Sequence, residues 1–347
     1  VLQLFVIPNL TVPAMAATGT ATYGFDVASE YTTGAHTLIN TLSGVAQFDL
    51  NWSEIDSDFA THTQTSTDLV QLANSGAGSN YILFRVDDAL YSCSTPCEYT
   101  SWTQVLGSID SINDVDGGIY SDGGGLLEYY AVAVGSDSGV GIIRYSDNGG
   151  ATWNTPVSQP DFSGDGITSV DYVVATKDSD IGNDLVFIAI LNDGQTVIST
   201  DNGVNWAYES DTGLGGTVTE FSSDPGGDLI IAASSDGTLW KSTDNSSTWD
   251  QIDGVSAFAT GATEIKFSDI GTDTLLVAGA NYLYKADDGE NLDLAASWTN
   301  LSSNLDIDSW DLIDSFYVND ANTYFASVSE TSSGAKDGVV LSTIDAG

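Results

Sequence analysis

Cations are scarce in this chain: of 347 residues only 7 are Lys or Arg, against 49 Asp or Glu, for a formal net charge of −42. Such a surface repels phosphate backbones and anionic lipid heads, which excludes nucleic-acid binding and adsorption to acidic membranes. Histidine is nearly missing as well. His36 and His62 lie in polar stretches (GAHTL, THTQT), and no GxSxG elbow is present. That inventory excludes a serine- or cysteine-histidine triad and a histidine-rich metal centre. No P-loop occurs, and the glycine clusters have too few cations beside them to hold phosphate. No apolar run approaches the roughly 18 residues a membrane-spanning helix needs. Nor is a helical apolar period sustained, so helix content should be very low.

Two cysteines, Cys93 and Cys97, stand in SCSTPCEY. Two thiols without a nearby His make a poor zinc set, and the C-x3-C spacing, tight but feasible across a turn, is read as a turn-stapling disulfide, which implies an oxidising, extracellular compartment. Asn-x-Ser/Thr triplets start at Asn9, Asn51, Asn245 and Asn300, and they permit glycosylation. The opening VLQLFVIPNLTVPAMAA has a faint likeness to the tail of a signal peptide, with Ala14 and Ala16 as a cleavage cue; we read Val1 to Ile7 as a strand. What the chain does have is a core. It is 41% hydrophobic and 10% aromatic, more than disordered acidic chains carry.

It also has a repeat. VISTDNGVNW, ending at Trp206, places Ser199, Asp201 and Gly203 ahead of the tryptophan. YSDNGGATW repeats it with Ser146, Asp147, Gly149 and Trp153, read with one extra residue. KSTDNSSTW repeats it with Ser242, Asp244 and Trp249, and Ser246 where glycine is expected. Looser copies use Asp288, Gly289 and Trp298, or end at Trp102 with the cysteine pair in place of the Asp-Gly turn. The chain's last residues, LSTIDAG, set Asp345 and Gly347 in register as the start of another copy, so the chain is expected to continue. With Trp52 these tryptophans step along the chain every 43–53 residues. Between them run short stretches rich in Val, Ile, Leu, Tyr and Thr, four per unit, parted by Ser-Asp-Gly turns. Four-stranded units of about 40–50 residues, repeated, predict an all-β chain, a β-propeller of antiparallel blades. At least six blades are expected, with seven the central estimate, over residues 52–347, and 1–51 as a partial first blade or cap.

The pattern S/T-x-D-x-G-x-x-W resembles the Asp-box. That box is found in sialidases, sortilin-type receptors, xyloglucanase-like glycosidases and a photosystem-assembly propeller family. The resemblance implies that each box is the turn between the third and fourth strands of a blade, a structural element and not an active site. A sialidase would need an arginine triad, and the chain has only Arg85 and Arg144. A hydrolase of neutral glycans needs only two carboxylates about 5–10 Å apart. Trp240, Trp310 and Tyr129-Tyr130 offer rings for sugar stacking, although all suit sheet packing too.

Calcium is the one cofactor the residues suggest. DFSGDGITSVDY sets Asp161, Ser163, Asp165 and Asp171 around Gly166 in the manner of a calcium loop, although Tyr172 occupies the position of the final acid. Asp114, Asp116 and Asp122 form a weaker set. The reading that unites these features is a non-catalytic, extracellular or cell-surface propeller: a surface-layer, sheath or filament component, or an adhesin. Its expected partners are copies of itself or envelope proteins and glycans, with calcium bridging acidic faces. A glycan-acting propeller and a peptide-binding receptor-like module are the alternatives.

Overall fold

The computed structural model describes residues 36–40, 48–52, 67–72, 81–86, 89–94, 103–107, 109–121, 127–177, 185–209, 214–224, 229–252, 262–267, 274–279, 282–287, 292–301, 311–320, 323–330 and 338–343. Residues 1–7, Asp122, Trp102, Trp310, Cys97, Asp288, Gly289, Asp345 and Gly347 fall outside them.

Every sheet is antiparallel and built from strands in chain order. Strands β1 (His36–Asn40) and β2 (Phe48–Trp52) pair with each other. Four-stranded sheets follow the order β3 (Thr67–Leu72), β4 (Tyr81–Val86), β5 (Ala89–Ser94), β6 (Thr103–Leu106), and β10 (Val170–Lys177), β11 (Leu185–Leu191), β12 (Thr196–Ser199), β13 (Ala207–Tyr208). Two more are β14 (Val218–Ser223), β15 (Ile230–Ser234), β16 (Leu239–Ser242), β17 (Asp250–Gln251), and β18 (Ala262–Phe267), β19 (Thr274–Gly279), β20 (Tyr282–Asp287), β21 (Thr299–Asn300). Three-stranded sheets are β7 (Ser111–Ser121), β8 (Leu127–Asp137), β9 (Val140–Ser146), and β22 (Asp311–Asp320), β23 (Thr323–Glu330), β24 (Gly338–Thr343). The only α-helix among the described residues is the single turn α1 (Phe162–Asp165).

The first strands of consecutive sheets pack on one another: β3 on β7, β7 on β10, β10 on β14, β14 on β18 and β18 on β22. Sheets that meet along their first strands and fan outward are propeller blades. The fold is an all-β propeller.

The second strand of a blade shows why blades stack. All seven residues of LVFIAIL in β11 are buried. Their alternation divides them between two cores. Leu185, Phe187, Ala189 and Leu191 join Val132, Val134 and Ile143 of the preceding blade. Val186, Ile188 and Ile190 join Val218, Phe221 and Ile230 of the following one. A strand covered on both faces reads as a continuous apolar run, without the polar alternation of a half-exposed strand. β15 repeats the division, with Ile230 and Ala232 on one side and Ile231 and Ala233 on the other.

Five inner strands share a bulge near their apolar start, whereas β3 pairs with β4 without one. Register shifts fall between Ile112 and Asp114, Val170 and Tyr172, Val218 and Glu220, Ala262 and Glu264, and Ile313 and Ser315. An unpaired residue there kinks the strand and re-aims the side chains that follow it.

One blade departs from the others at its outer edge. In three blades the N–H three residues after the box tryptophan donates to the third strand: Glu209 to Thr196 (3.0 Å), Ile252 to Leu239 (2.8 Å), Leu301 to Leu283 (2.9 Å). The equivalent residue beside β9 is Pro156, which has no N–H to give. The fourth strand shrinks there to the bridge Tyr145–Asn154. Arg144 supplies the missing donor, its guanidinium reaching the Ile143 carbonyl at 2.8 Å. Ile143 is fully buried. Replacing Arg144 with Ala should leave that carbonyl unsatisfied and cost about 1–3 kcal/mol, read as a lowered urea midpoint with an unchanged slope.

Candidate functional site

Three box turns are described in full, and each is organised by a buried serine. Ser199 Oγ donates to Asp201 Oδ1 (2.9 Å) and accepts the Gly203 N–H (2.9 Å). Asp201 in turn accepts from the Asn205 backbone (2.8 Å) and side chain (2.6 Å), and Trp206 Nε1 donates to the Gly203 carbonyl (2.9 Å). Ser199 and Trp206 are 1% and 4% exposed, so the turn closes over a dry interior. Gly203 has φ 86°, and a Cβ on it would stand 2.8 Å from Val132 Cγ2 of the preceding blade. Positive φ and close approach both demand glycine there. Trp206 packs with Val132, Val134 and Ile143 of that same blade. The box therefore fastens one blade to the one before it.

The copy ending at Trp153 has the same spacing, with no extra residue. Ser146 Oγ donates to Asn148 Oδ1 (3.0 Å) and accepts from Gly150 (2.8 Å), and Trp153 Nε1 donates to the Gly150 carbonyl (3.1 Å). Asn148 therefore fills the acid's place, and Asp147, expected there, is exposed. A carboxamide oxygen accepts from Ser146 and from the Thr152 N–H (3.0 Å) as a carboxylate does. Gly149, expected as the turn glycine, precedes the residue whose N–H donates to the serine. It too has positive φ, 69°, and lies against Tyr81.

In the third copy Ser242 donates to Asp244 Oδ1 (2.9 Å), which also accepts from Thr248 N (2.8 Å), while Thr248 Oγ1 donates to Oδ2 (2.7 Å). Ser246 stands at the glycine position with φ 70°. Its hydroxyl is buried without a hydrogen-bond partner, as is Trp249 Nε1. Trp298, in the degenerate copy, donates instead to the Leu292 carbonyl (2.9 Å).

The inner strands carry the second constellation. Asp114 and Asp116, two apart on β7, each bridge to β10. Asp114 accepts from Val115 N (2.8 Å) and Val173 N (2.8 Å), and Asp116 from Gly117 N (2.7 Å) and Ala175 N (2.8 Å). Asn113 Nδ2 donates to Ser169 Oγ (2.9 Å) and the Val170 carbonyl (3.0 Å). Across the next junction, Tyr172 donates to the Thr219 carbonyl (2.9 Å) and Ser223 to that of Ala175 (2.7 Å). Side chains thus satisfy main-chain groups that adjacent inner strands leave unpaired. The Tyr172 hydroxyl is pushed up to about 12 by burial, then by the Glu220, Asp114 and Asp171 carboxylates, with Arg85 pulling the other way. It stays protonated, as its donation to Thr219 requires. Arg85 is 6% exposed and donates to the Ile112 carbonyl at 2.9 Å.

The four calcium-loop residues take separate roles. Asp161 caps α1, accepting from Gly164 N (3.0 Å). Ser163 is exposed, Asp165 accepts from the Tyr208 hydroxyl (2.7 Å), and Asp171 accepts from Ser169. Among the described residues no group of three or more His, Cys, Asp or Glu side chains could hold a metal ion. Trp240 packs against a core and donates to Ser234 (3.2 Å), Tyr129 lies edge-on to Tyr81 (5.1 Å between centroids), and Tyr130 donates to Glu128 (2.6 Å). Cys93 is buried, and no free cysteine occurs among the described residues. Its expected partner Cys97 lies outside them.

Asn148 and the β7–β10 bridges were not foreseen. For the bridges, the alternation of Asp114 and Asp116 on one strand face was the available signal.

Ser246→Gly should relieve a left-handed residue and a buried idle hydroxyl, raising stability by about 1 kcal/mol, measured by chemical denaturation. Partial burial pushes the Asp244 carboxyl up, but the Thr248 and Ser242 bonds outweigh it and hold the group below its ordinary 3.8. The resulting stabilisation is complete above that value and is lost as pH falls through the depressed one. Asp244→Asn introduces the side chain that Asn148 already carries at the equivalent place, and should therefore cost at most about 1 kcal/mol at neutral pH. The difference from the parent should shrink between about pH 5 and pH 2, followed by melting across that range.

No protein-family model matches the chain, and no curated protein matches it. Solved structures do. The chain resembles a structure described as YCF48 bound to D1 peptide, with a TM-score of 0.55 and 15% identity over 94% of this chain and 84% of that one. It also resembles YCF48 from Cyanidioschyzon merolae, with a TM-score of 0.52 and 14% identity over 81% and 83% of the two chains. At these identities the likeness carries the fold, and the fold it carries is the β-propeller derived above.

Proposed function

We propose that the chain is a non-catalytic interaction propeller whose acidic surface docks a cationic protein segment. One observation carries the reading: four of the seven cations are engaged with groups of the fold, while the acids remain in large excess. Arg85 and Arg144 cap carbonyls, Lys241 pairs with Asp293 (2.8 Å) and Lys266 with Glu264 (3.3 Å). The chain's net charge of −42 steers positively charged partners toward it. The peptide bound to one YCF48 propeller supports a polypeptide ligand on this fold. Along β7, β10 and β14 the main-chain groups named above already have partners, so recognition there would run through side chains and not strand addition. A non-catalytic role agrees with Asp114 and Asp116, each of which gives its two oxygens to backbone N–H groups.

The cell-surface or extracellular setting, as a surface-layer, sheath or filament component, is supported by composition and by the Cys93–Cys97 spacing. Calcium enters this reading as a bridge between the acidic faces of neighbouring copies. Titration of a Lys-rich peptide into the purified chain should give binding that weakens steeply with added salt, with none for an acidic peptide of equal length. Equal binding of both, or of neither, would overturn the reading. Light scattering with calcium and after chelation tests the bridge separately, and unchanged scattering and melting would remove it.

A further inference from the structure

The turn ending at Trp153 brings together two residues with a chemistry of their own. The fold requires glycine at 149, where φ is 69° and a Cβ would stand 2.6 Å from the Tyr81 ring. It requires an oxygen acceptor at 148, to receive Ser146 and Thr152. Met with asparagine, these demands create an Asn-Gly bond. With no side chain on its second residue, such a bond is the one most open to attack by the backbone nitrogen on the asparagine side chain.

We infer that Asn148 is a deamidation site gated by opening of its turn, and that the product aspartate closes the same turn again. The reaction needs only water. The Gly149 nitrogen gives up its proton and bonds to Asn148 Cγ, and ammonia leaves with the Cγ–N bond. Water then opens the succinimide at either carbonyl, giving aspartate or isoaspartate. In the closed turn both reactants are held. Gly149 N donates to the Tyr129 carbonyl (2.9 Å), while Asn148 Nδ2 donates to Thr152 Oγ1 (2.7 Å) and Oδ1 accepts from Ser146 and Thr152 N, both at 3.0 Å. Deamidation therefore waits for local opening.

The product's fit is visible within the same chain. Asp244 accepts from Ser242, Thr248 N and Thr248 Oγ1 at 2.9, 2.8 and 2.7 Å, against 3.0, 3.0 and 2.7 Å for the three Asn148 contacts. Only the Thr152 hydroxyl must turn, from accepting a proton to giving one. Isoaspartate inserts an extra main-chain carbon and cannot keep the Ser146-to-Trp153 spacing. Asn202–Gly203 is a built-in control: Asn202 accepts from Leu185 N (3.2 Å) and Gly203 N donates to Ser199, in a different turn.

The test is peptide mapping by mass spectrometry of the full chain aged at mildly alkaline pH, folded and in urea, with isoaspartate scored separately. Asn148 should convert at least roughly tenfold more slowly in the folded chain than in urea. Thr152→Val should speed conversion at Asn148 in the folded chain and leave Asn202 unchanged. Asn148→Asp should melt with the parent at neutral pH. Equal rates folded and unfolded, no effect of Thr152→Val, or a marked loss of melting temperature in Asn148→Asp would each overturn the inference.

Discussion

The middle strands of this chain are apolar on both faces, and such strands are stable only with another sheet on either side. β11 divides its seven buried residues between two neighbours, and β15 does the same. Neither of these blades holds a complete core, so each derives its stability from its flanks. This places a demand on the junctions: adjacent blades must be fixed in register as well as pressed together, since hydrophobic contact is not directional. Two devices supply direction. Near the outer edge, a box turn sets its tryptophan and its glycine against the preceding blade. Near the axis, carboxylates, a carboxamide, a phenol and a hydroxyl reach from one inner strand to the main chain of the next.

Much of the architecture was legible because the box is a local object. Serine, acid, glycine and tryptophan act within eight consecutive residues, and their copies mark the period. The register error in the Trp153 copy has a physical origin. Asp147 is the acid of that stretch, whereas the turn selects for an oxygen acceptor, which Asn148 provides equally well. Likewise the glycine rule bends at Ser246, where a left-handed serine is tolerated at some expense in free energy. Residue identity is an incomplete guide where geometry selects for one atom.

The inner bridges lay beyond the sequence for another reason. Asp114 and Val173 are joined by blade adjacency, a property of the assembled ring and not of either strand. In isolation, alternating aspartates in a glycine-rich stretch look like a cation loop, which is why Asp114 and Asp116 enter as the weaker calcium set. Pro156, by contrast, was legible in principle. A proline three residues past a box tryptophan must shorten the fourth strand, and the adjacent Arg144 makes good the missing donor.

The scarcity of cations has a consequence for the molecule as a solute. With 7 Lys and Arg against 49 Asp and Glu, the chain cannot neutralise its own acids, and counter-ions must do so. Each copy travels with a mobile cloud balancing 42 charges. Packed into a layer, such molecules would confine those ions with them. The layer would then swell against its own osmotic pressure in dilute water and contract in brine, behaving as a hydrated gel whose thickness is set by the medium.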